Sequence, residues 1–189
     1  MGMSSTAVAV YGVYNKLQSF VFMPVFGVSN ALVAIIGYNY GAKNKKRMMR
    51  TFKLAMITSV AIMAVGFALF QFFPKWMLEM FSADANMMKI GIPALRIISF
   101  NFVFAAMAIT IGSIFSGTGN GVYSMIVSIV RQLVVILPVA YLLSLTGNID
   151  LVWLSFAIAE LVGLALSVFF LKRTYESKLQ YLGEEENNY

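Results

Sequence analysis

Two ionisable residues, Arg131 and Glu160, stand inside long apolar stretches, at 122–145 and 151–171. A charge at the centre of a bilayer costs at least about 2.5 to 3.5 kcal/mol, so each is a candidate for a functional role. If the two stretches are antiparallel helices joined by a short turn, these residues are equally far from the turn and lie at equal depth. We therefore predict that their side chains pair, directly or through a water.

The pair has two possible roles. It either holds two helices together, because a paired charge avoids most of the desolvation penalty, or it belongs to a proton or cation relay in which a neutral Glu160 faces a cavity. Other chemistry is excluded by composition, since the chain contains no Cys and no His. Most metal sites need Cys or His, and hydrolytic triads need His as the base. A single Glu inside the bundle cannot act as both general acid and general base. We predict no enzyme activity, no metal site and no cofactor.

Amide side chains form a second group of candidates. Gln18 and Asn30 lie on the first apolar stretch, and Asn101 lies on the third. An unpaired amide facing lipid is costly, so these side chains are expected to face other helices or a polar cavity. They are candidates for lining a cavity or a substrate pathway, and interhelical hydrogen bonding explains them equally well.

Helix kinks are expected at three places. Pro24 with Gly27, Pro93 and Pro138 each interrupt an apolar stretch. A proline removes a backbone N–H and frees a carbonyl, which permits a bend where neighbours or water satisfy that group. Bending helices occur in transporters that alternate their access, and also in static bundles.

The elements that position these residues follow from composition. The chain is 60% hydrophobic and 12% charged, whereas soluble domains have about 25% charged residues. Apolar stretches long enough to cross a bilayer predict an all-α integral membrane protein. We predict that residues 1–175 form the transmembrane bundle and that residues 176–189 form a cytoplasmic tail. The five predicted spans are approximately 7–40, 54–74, 90–115, 122–145 and 151–171.

Basic residues indicate orientation. Nine of the 14 basic residues fall between spans one and two or after span five, and such clusters mark the cytoplasmic side. Both clusters agree, because an even number of crossings separates them. We predict a multi-pass protein of the cell inner (plasma) membrane with an external N-terminus and a cytoplasmic C-terminus. The net charge of +6 is therefore explained by the basic clusters on the cytoplasmic side. We predict the lipid bilayer as a partner and no nucleic-acid partner.

An external N-terminus and five spans fit a complete transporter poorly, because many carriers are built from two repeats. We therefore expect the chain to be the later part of a larger protein. A small oligomeric membrane pore or structural subunit is the alternative if five helices are the whole chain.

Several spaced motifs resemble one family. The segment YGVYNKLQSFVFMPVFGVSNALVAIIGYNYGAKNKKRM is similar to the eighth helix and following loop of the multidrug and toxic compound extrusion (MATE) family. MFSAD, PALRIISFNFVF, SGTGNG and RQLVVILP with TGNIDLVWLSFAIAELVG resemble helices nine to twelve, in order. The resemblance implies that the five helices form most of one six-helix lobe of a twelve-helix transporter.

The resemblance also implies a function: export of drugs or organic cations by antiport against Na⁺ or H⁺. Small amphipathic or cationic substrates and the missing N-terminal lobe are the expected partners. The family's coupling carboxylates cannot be carried over, because span 90–115 contains no Asp or Glu. A lipid-linked oligosaccharide flippase of the same superfamily is an alternative, for which Arg131 and Arg96 are the cavity cations available.

Overall fold

The computed structural model describes residues 2–180 and Leu182, and it is helical throughout its regular elements. Two short segments, Val130–Ile136 and Tyr175–Leu179, are π-helical. The α-helices are α1 Gly2–Gly41, α2 Lys45–Phe72, α3 Pro74–Glu79, α4 Ala85–Ser99, α5 Phe102–Gly117, α6 Gly121–Ile129, α7 Leu137–Ser144 and α8 Ile149–Thr174.

The described helices are long and apolar enough to cross a membrane at four places, namely Ser5–Gly41, Lys45–Phe72, Gly121–Ser144 and Asp150–Leu179. Helices α4 and α5, which meet at a 45° bend, are together long and apolar enough for a fifth span. The predicted fold class, an all-α membrane bundle, is confirmed. Its outward surface carries large apolar side chains such as Phe20 and Phe72, which are 73% and 77% exposed, as a lipid-facing surface requires.

The first loop is shorter than the sequence suggests. Only residues 42–44 separate α1 from α2, so most of the basic run is helical rather than loop. Asn44 caps α2 by accepting a hydrogen bond from the backbone N–H of Arg47, at 3.0 Å. Met48 stands within this basic run and is fully buried. Helix α2 therefore begins nine residues before the predicted span 54–74.

The bend in the third span does not lie at its proline. Helix α4 continues through Pro93, and the 45° bend follows Ser99. There the N–H of Phe100 bonds to the carbonyl of Ile97 rather than to that of Arg96. The Nε2 of Gln71 satisfies the freed Arg96 carbonyl, at 2.9 Å, and also contacts Ser99 Oγ. The bend lies where a side chain from α2 replaces a helix hydrogen bond.

The other predicted kink positions differ from each other. Helix α1 runs as one element through Pro24 and Gly27. Pro138 is the second residue after the π-helical segment Val130–Ile136 and lies in the first turn of α7. Because Pro138 lacks an N–H, the turns before it lose a normal helix hydrogen bond, and wider turns accommodate that loss.

Helix α5 lies at the centre, in contact with α1, α2, α6 and α8. The ring of Phe102 meets those of Phe22 and Phe70 edge to face, at centroid distances of 5.4 and 4.9 Å. Close approach depends on Gly117, where a Cβ atom would lie 2.6 Å from Ile36 Cγ2 and 3.0 Å from the carbonyl oxygen of Val33. This glycine lets α5 pack directly on α1.

The predicted tail 176–189 is only partly described, since residues 181 and 183–189 lie outside the described residues. Its first residues continue the last helix instead of leaving the bundle. Leu179 is fully buried in a cluster with Met48 and Ile114, and Leu182 packs against this cluster. Burial of these leucines is the physical reason that the segment stays on the bundle.

Candidate functional site

A cavity of about 310 Å³ lies between α1, α5, α8 and the π-helical segment Val130–Ile136. We call it the aromatic cavity. Its walls combine rings, amides and the two charges that the sequence places inside the membrane. The lining residues used below are Tyr11, Tyr14, Asn15, Gln18, Phe26, Asn101, Ile109, Arg131, Phe156 and Glu160.

Arg131 and Glu160 are in direct contact in this cavity. The Nη1 of Arg131 donates a hydrogen bond to Oε1 of Glu160 at 2.7 Å. The side chains are 27% and 13% exposed, so the pair is shielded but still reached from the cavity. The wide turns of the π-helical segment carry Arg131, and Glu160 projects from the middle of α8. Charge-assisted bonds of this kind are short and strong in a poorly solvated site.

Gly163 leaves room for the Arg131 side chain to reach the Glu160 carboxylate. A Cβ atom at this position would lie 3.2 Å from Arg131 Cδ and 3.6 Å from Cγ. Because Gly163 stands one helical turn after Glu160, the arginine stem crosses α8 over the glycine before it reaches the carboxylate. The contact explains why a side chain as long as that of Arg131 fits between two adjacent helices.

Replacement of Gly163 by Val should push the guanidinium away from Glu160 and lower the free energy of unfolding by about 1 to 3 kcal/mol. Gly27→Val is the matched control, because a Cβ atom at Gly27 meets nothing within 4 Å. Thermal unfolding in detergent, followed by circular dichroism, measures both. In an Arg131→Ala background the cost of Gly163→Val should fall, and an equal cost in both backgrounds would contradict the steric explanation.

Three polar atoms at the aromatic cavity have unmet hydrogen-bonding capacity. Oε2 of Glu160, Nε of Arg131 and Oδ1 of Asn101 are buried and have no hydrogen-bond partner among the described residues. Asn101 is 3% exposed and lies at the bend between α4 and α5. Buried polar atoms in native proteins are usually paired, so these atoms are available to a ligand or to ordered water.

Aromatic rings form the wall beside the carboxylate. Phe156 lies one helical turn before Glu160, and its ring centroid is 5.9 Å from that of Tyr11 and 6.2 Å from that of Tyr14. Trp153 stacks on Phe156, with a centroid distance of 6.4 Å. The faces of such rings attract cations. The aromatic cavity therefore places aromatic rings next to one carboxylate.

A second cavity, of about 260 Å³, adjoins the first. We call it the serine cavity, since its walls include Ser29, Ser113, Ser116, Ser124, Ser128 and Ser167. Arg131, Phe26 and Ile109 line both cavities. The hydroxyls of Ser29 and Ser113 share a hydrogen bond of 2.7 Å between α1 and α5. Arg131 therefore stands at the boundary between a hydroxyl-lined space and an aromatic one.

The three amide candidates are divided between these cavities. Gln18 and Asn101 line the aromatic cavity, and Asn30 lines the serine cavity. Among the described residues, no group of three or more Asp or Glu is close enough to hold a metal ion. The neutral oxygen atoms around Glu160 belong to amides, which accept hydrogen bonds, and to phenols, which donate one and can accept others.

The aromatic rings and the serines of these cavities are not among the candidate residues that the sequence predicts. Tyr11, Asn15, Gln18 and Phe22 follow each other at intervals of three or four residues, which places them on one face of α1. That periodicity was a usable signal for a mixed aromatic and polar face. The serines gave no such signal, because a single serine in an apolar helix commonly bonds its own backbone.

Comparison with known sequences shows a consistent set of relatives. The family model described as MatE matches residues 1–142. The multidrug export protein MepA of Staphylococcus haemolyticus is 28% identical over 166 residues, or 87% of this chain and 36% of that protein. The probable multidrug resistance protein NorM of Thermotoga maritima is 29% identical over 129 residues, or 68% of this chain and 28% of that protein. The chain thus spans about a third of the length of these relatives.

Solved structures share the fold. An outward-facing multidrug resistance MATE family transporter of the MOP superfamily superposes with a TM-score of 0.85 at 22% identity, over 93% of this chain and 40% of that chain. The MATE multidrug transporter DinF-BH gives a TM-score of 0.80 at 30% identity, over 91% of this chain and 39% of that chain. Since the family model covers well over half of the 189 residues and both comparisons agree with it, this membrane protein belongs to the MatE family.

Proposed function

We propose that the chain supplies helices eight to twelve of a cation-coupled antiporter that exports drugs or organic cations. The multidrug names of its relatives support an export function. The aromatic cavity supports the substrate class, because it places a carboxylate among ring faces inside an apolar bundle. In the proposed orientation the N-terminus is external and the basic start of α2 is cytoplasmic.

The single observation that carries this proposal is the free oxygen of Glu160 beside the rings of Phe156 and Tyr14. A lipophilic cation in the aromatic cavity gains attraction from the rings and from the carboxylate, in surroundings that screen charge weakly. Arg131 already occupies the other carboxylate oxygen. A bound cation therefore shares the carboxylate with Arg131 and uses the oxygen that Arg131 leaves free.

Coupling to Na⁺ or H⁺ is assigned to the remaining part of the transporter, because α4 and α5 contain no Asp or Glu. Glu160 contributes either as a substrate ligand with relay character or as the anchor of Arg131. The two roles differ in their response to a neutral isostere. Glutamine keeps the size and one hydrogen-bond acceptor but removes the charge.

A chimera tests the proposal. This chain replaces the matching part of the Thermotoga maritima NorM relative, and ethidium efflux is followed by fluorescence in cells that lack other exporters. We expect efflux by the chimera and its loss in Glu160→Gln, at unchanged expression and membrane insertion. Glu79→Gln is the matched control, since Glu79 lies on the short helix α3 with a 51% exposed side chain. Full efflux with Glu160→Gln would leave Glu160 a purely structural role, and an inserted chimera without efflux would contradict the export function.

A further inference from the structure

A third cavity, of about 280 Å³, opens on the outside of the bundle between α2 and α8. We call it the apolar cleft. Met49, Phe52 and Ile114 line it from α2 and α5, and Leu171 and Leu179 line it from α8 and its π-helical extension. It shares no lining residue with the aromatic or the serine cavity. The cleft is therefore a separate feature that the proposed export function does not use.

The cleft lies at the end of the bundle that carries the basic run. Lys45, at the start of α2, donates a hydrogen bond to the carbonyl oxygen of Gln180 at 2.8 Å and lies 5.2 Å from the centre of the Tyr175 ring. These contacts hold the π-helical segment Tyr175–Leu179 against α2, and Leu179 is fully buried. The segment thereby forms a fixed side of the cleft.

Charge at the cleft is positive. Lys172 is the charged residue among those that line it, and its side chain is 79% exposed. Its nearest acid is Glu176, at 3.9 Å and also largely exposed, a type of surface pair that contributes little. Lys53 follows Met49 by one helical turn on the same face of α2. Lys172 thus lies at an apolar slot whose lining includes the exposed side chain of Val168, and helical spacing places Lys53 on the side of α2 that Met49 presents to the slot.

We propose that the apolar cleft binds an anionic phospholipid. One acyl chain lies against Met49, Phe52 and Leu171, and the phosphate lies near Lys172 and Lys53. A membrane protein is surrounded by such lipids, and basic residues at the membrane surface attract anionic headgroups. A slot with apolar walls and cations at its edge matches an acyl chain and its phosphate at once. The proposal is independent of the exported substrate.

A tryptophan reporter tests this site. Phe52→Trp places the reporter in the cleft, and the chain is reconstituted in phosphatidylcholine vesicles that contain a small fraction of either brominated phosphatidylglycerol or brominated phosphatidylcholine. The emission of Trp76 and Trp153, measured in the parent chain, is subtracted. We expect phosphatidylglycerol to quench the reporter more strongly, with about a fivefold higher relative affinity for each lysine that contacts the phosphate.

Three further variants decide the outcome. Lys172→Gln should lower the preference for phosphatidylglycerol by about fivefold, and Glu176→Gln should raise it. Phe20→Trp, on the exposed face of α1, reports lipids away from the cleft and should show no preference. Equal quenching by both lipids at Phe52→Trp, an unchanged preference in Lys172→Gln, or the same preference at Phe20→Trp would each overturn the site.

Discussion

Replacement of Arg131 by Met is expected to lower the free energy of unfolding by about 3 kcal/mol, the lower end of the range for a broken buried ion pair. The variant leaves the Glu160 carboxylate inside the bundle without its 2.7 Å partner. The cost lies at the lower end because the cavity keeps both side chains partly accessible, at 27% and 13%. Denaturation in mixed detergent and dodecyl sulfate micelles, followed by circular dichroism, measures the loss.

Two comparisons show whether this loss comes from the stranded charge. The double variant Arg131→Met and Glu160→Leu should recover most of the stability, since it removes both charges from the bundle interior. Lys75→Met breaks the exposed ion pair between Lys75 Nζ and Glu79 Oε1, which lie 3.7 Å apart. This variant should lower the free energy of unfolding by less than about 1 kcal/mol. If the double variant costs as much as the two single variants together, the side chains are not coupled.

Replacement of Gly117 by Ala is expected to lower the free energy of unfolding by about 2 kcal/mol, as overpacking of a tight contact does. The new methyl group would lie 2.6 Å from Ile36 Cγ2 and 3.0 Å from the carbonyl oxygen of Val33. The backbone of α1 has no rotamer with which to withdraw, so α5 and α1 must separate. The same denaturation assay reports the change.

Gly112→Ala on the same helix is the matched control. A Cβ atom there would lie 3.6 Å from Ser124 Oγ, an ordinary contact. Alanine is the better helix former, so this variant should be neutral or more stable by up to about 1 kcal/mol. Opposite signs for the two substitutions identify the α1–α5 contact as the cause. A stabilising Gly117→Ala would show that the helices are packed less tightly than described.

The contacts at Gly117 and Gly163 also affect the shape of the proposed export site. Helix α5 supplies Ile109 to the aromatic cavity, Asn101 precedes its first turn, and its distance from α1 is fixed by the contact at Gly117. The position of Arg131 is fixed by Gly163 on α8. The cavity therefore depends on two glycine contacts as well as on the residues that line it. Small residues at helix crossings are the usual means of close packing in membrane proteins.

Much of the fold could be predicted because a lipid bilayer restricts both the length and the composition of the segments that cross it. A span needs about 20 apolar residues, and backbone groups in lipid must pair within their own helix, so length and composition identify helices directly. The helix ends were less predictable. Helix α2 starts at Lys45 because Asn44 caps it, and its basic residues are compatible with a helix that extends beyond the bilayer. Hydropathy measures the apolar part of such a helix and not its full length.

The all-α membrane class and the family can be read from the amino-acid sequence alone, and the sequence also predicts an equal depth for Arg131 and Glu160, because distance from a turn along two antiparallel helices fixes depth. How each helix is rotated about its axis becomes visible only in the folded bundle. That rotation brings Phe156 and Tyr14 beside Glu160, and Lys172 beside the apolar cleft. Depth is a property of one chain segment and can be counted. Rotation depends on the neighbours that pack against a helix, and these meet it only in the folded bundle.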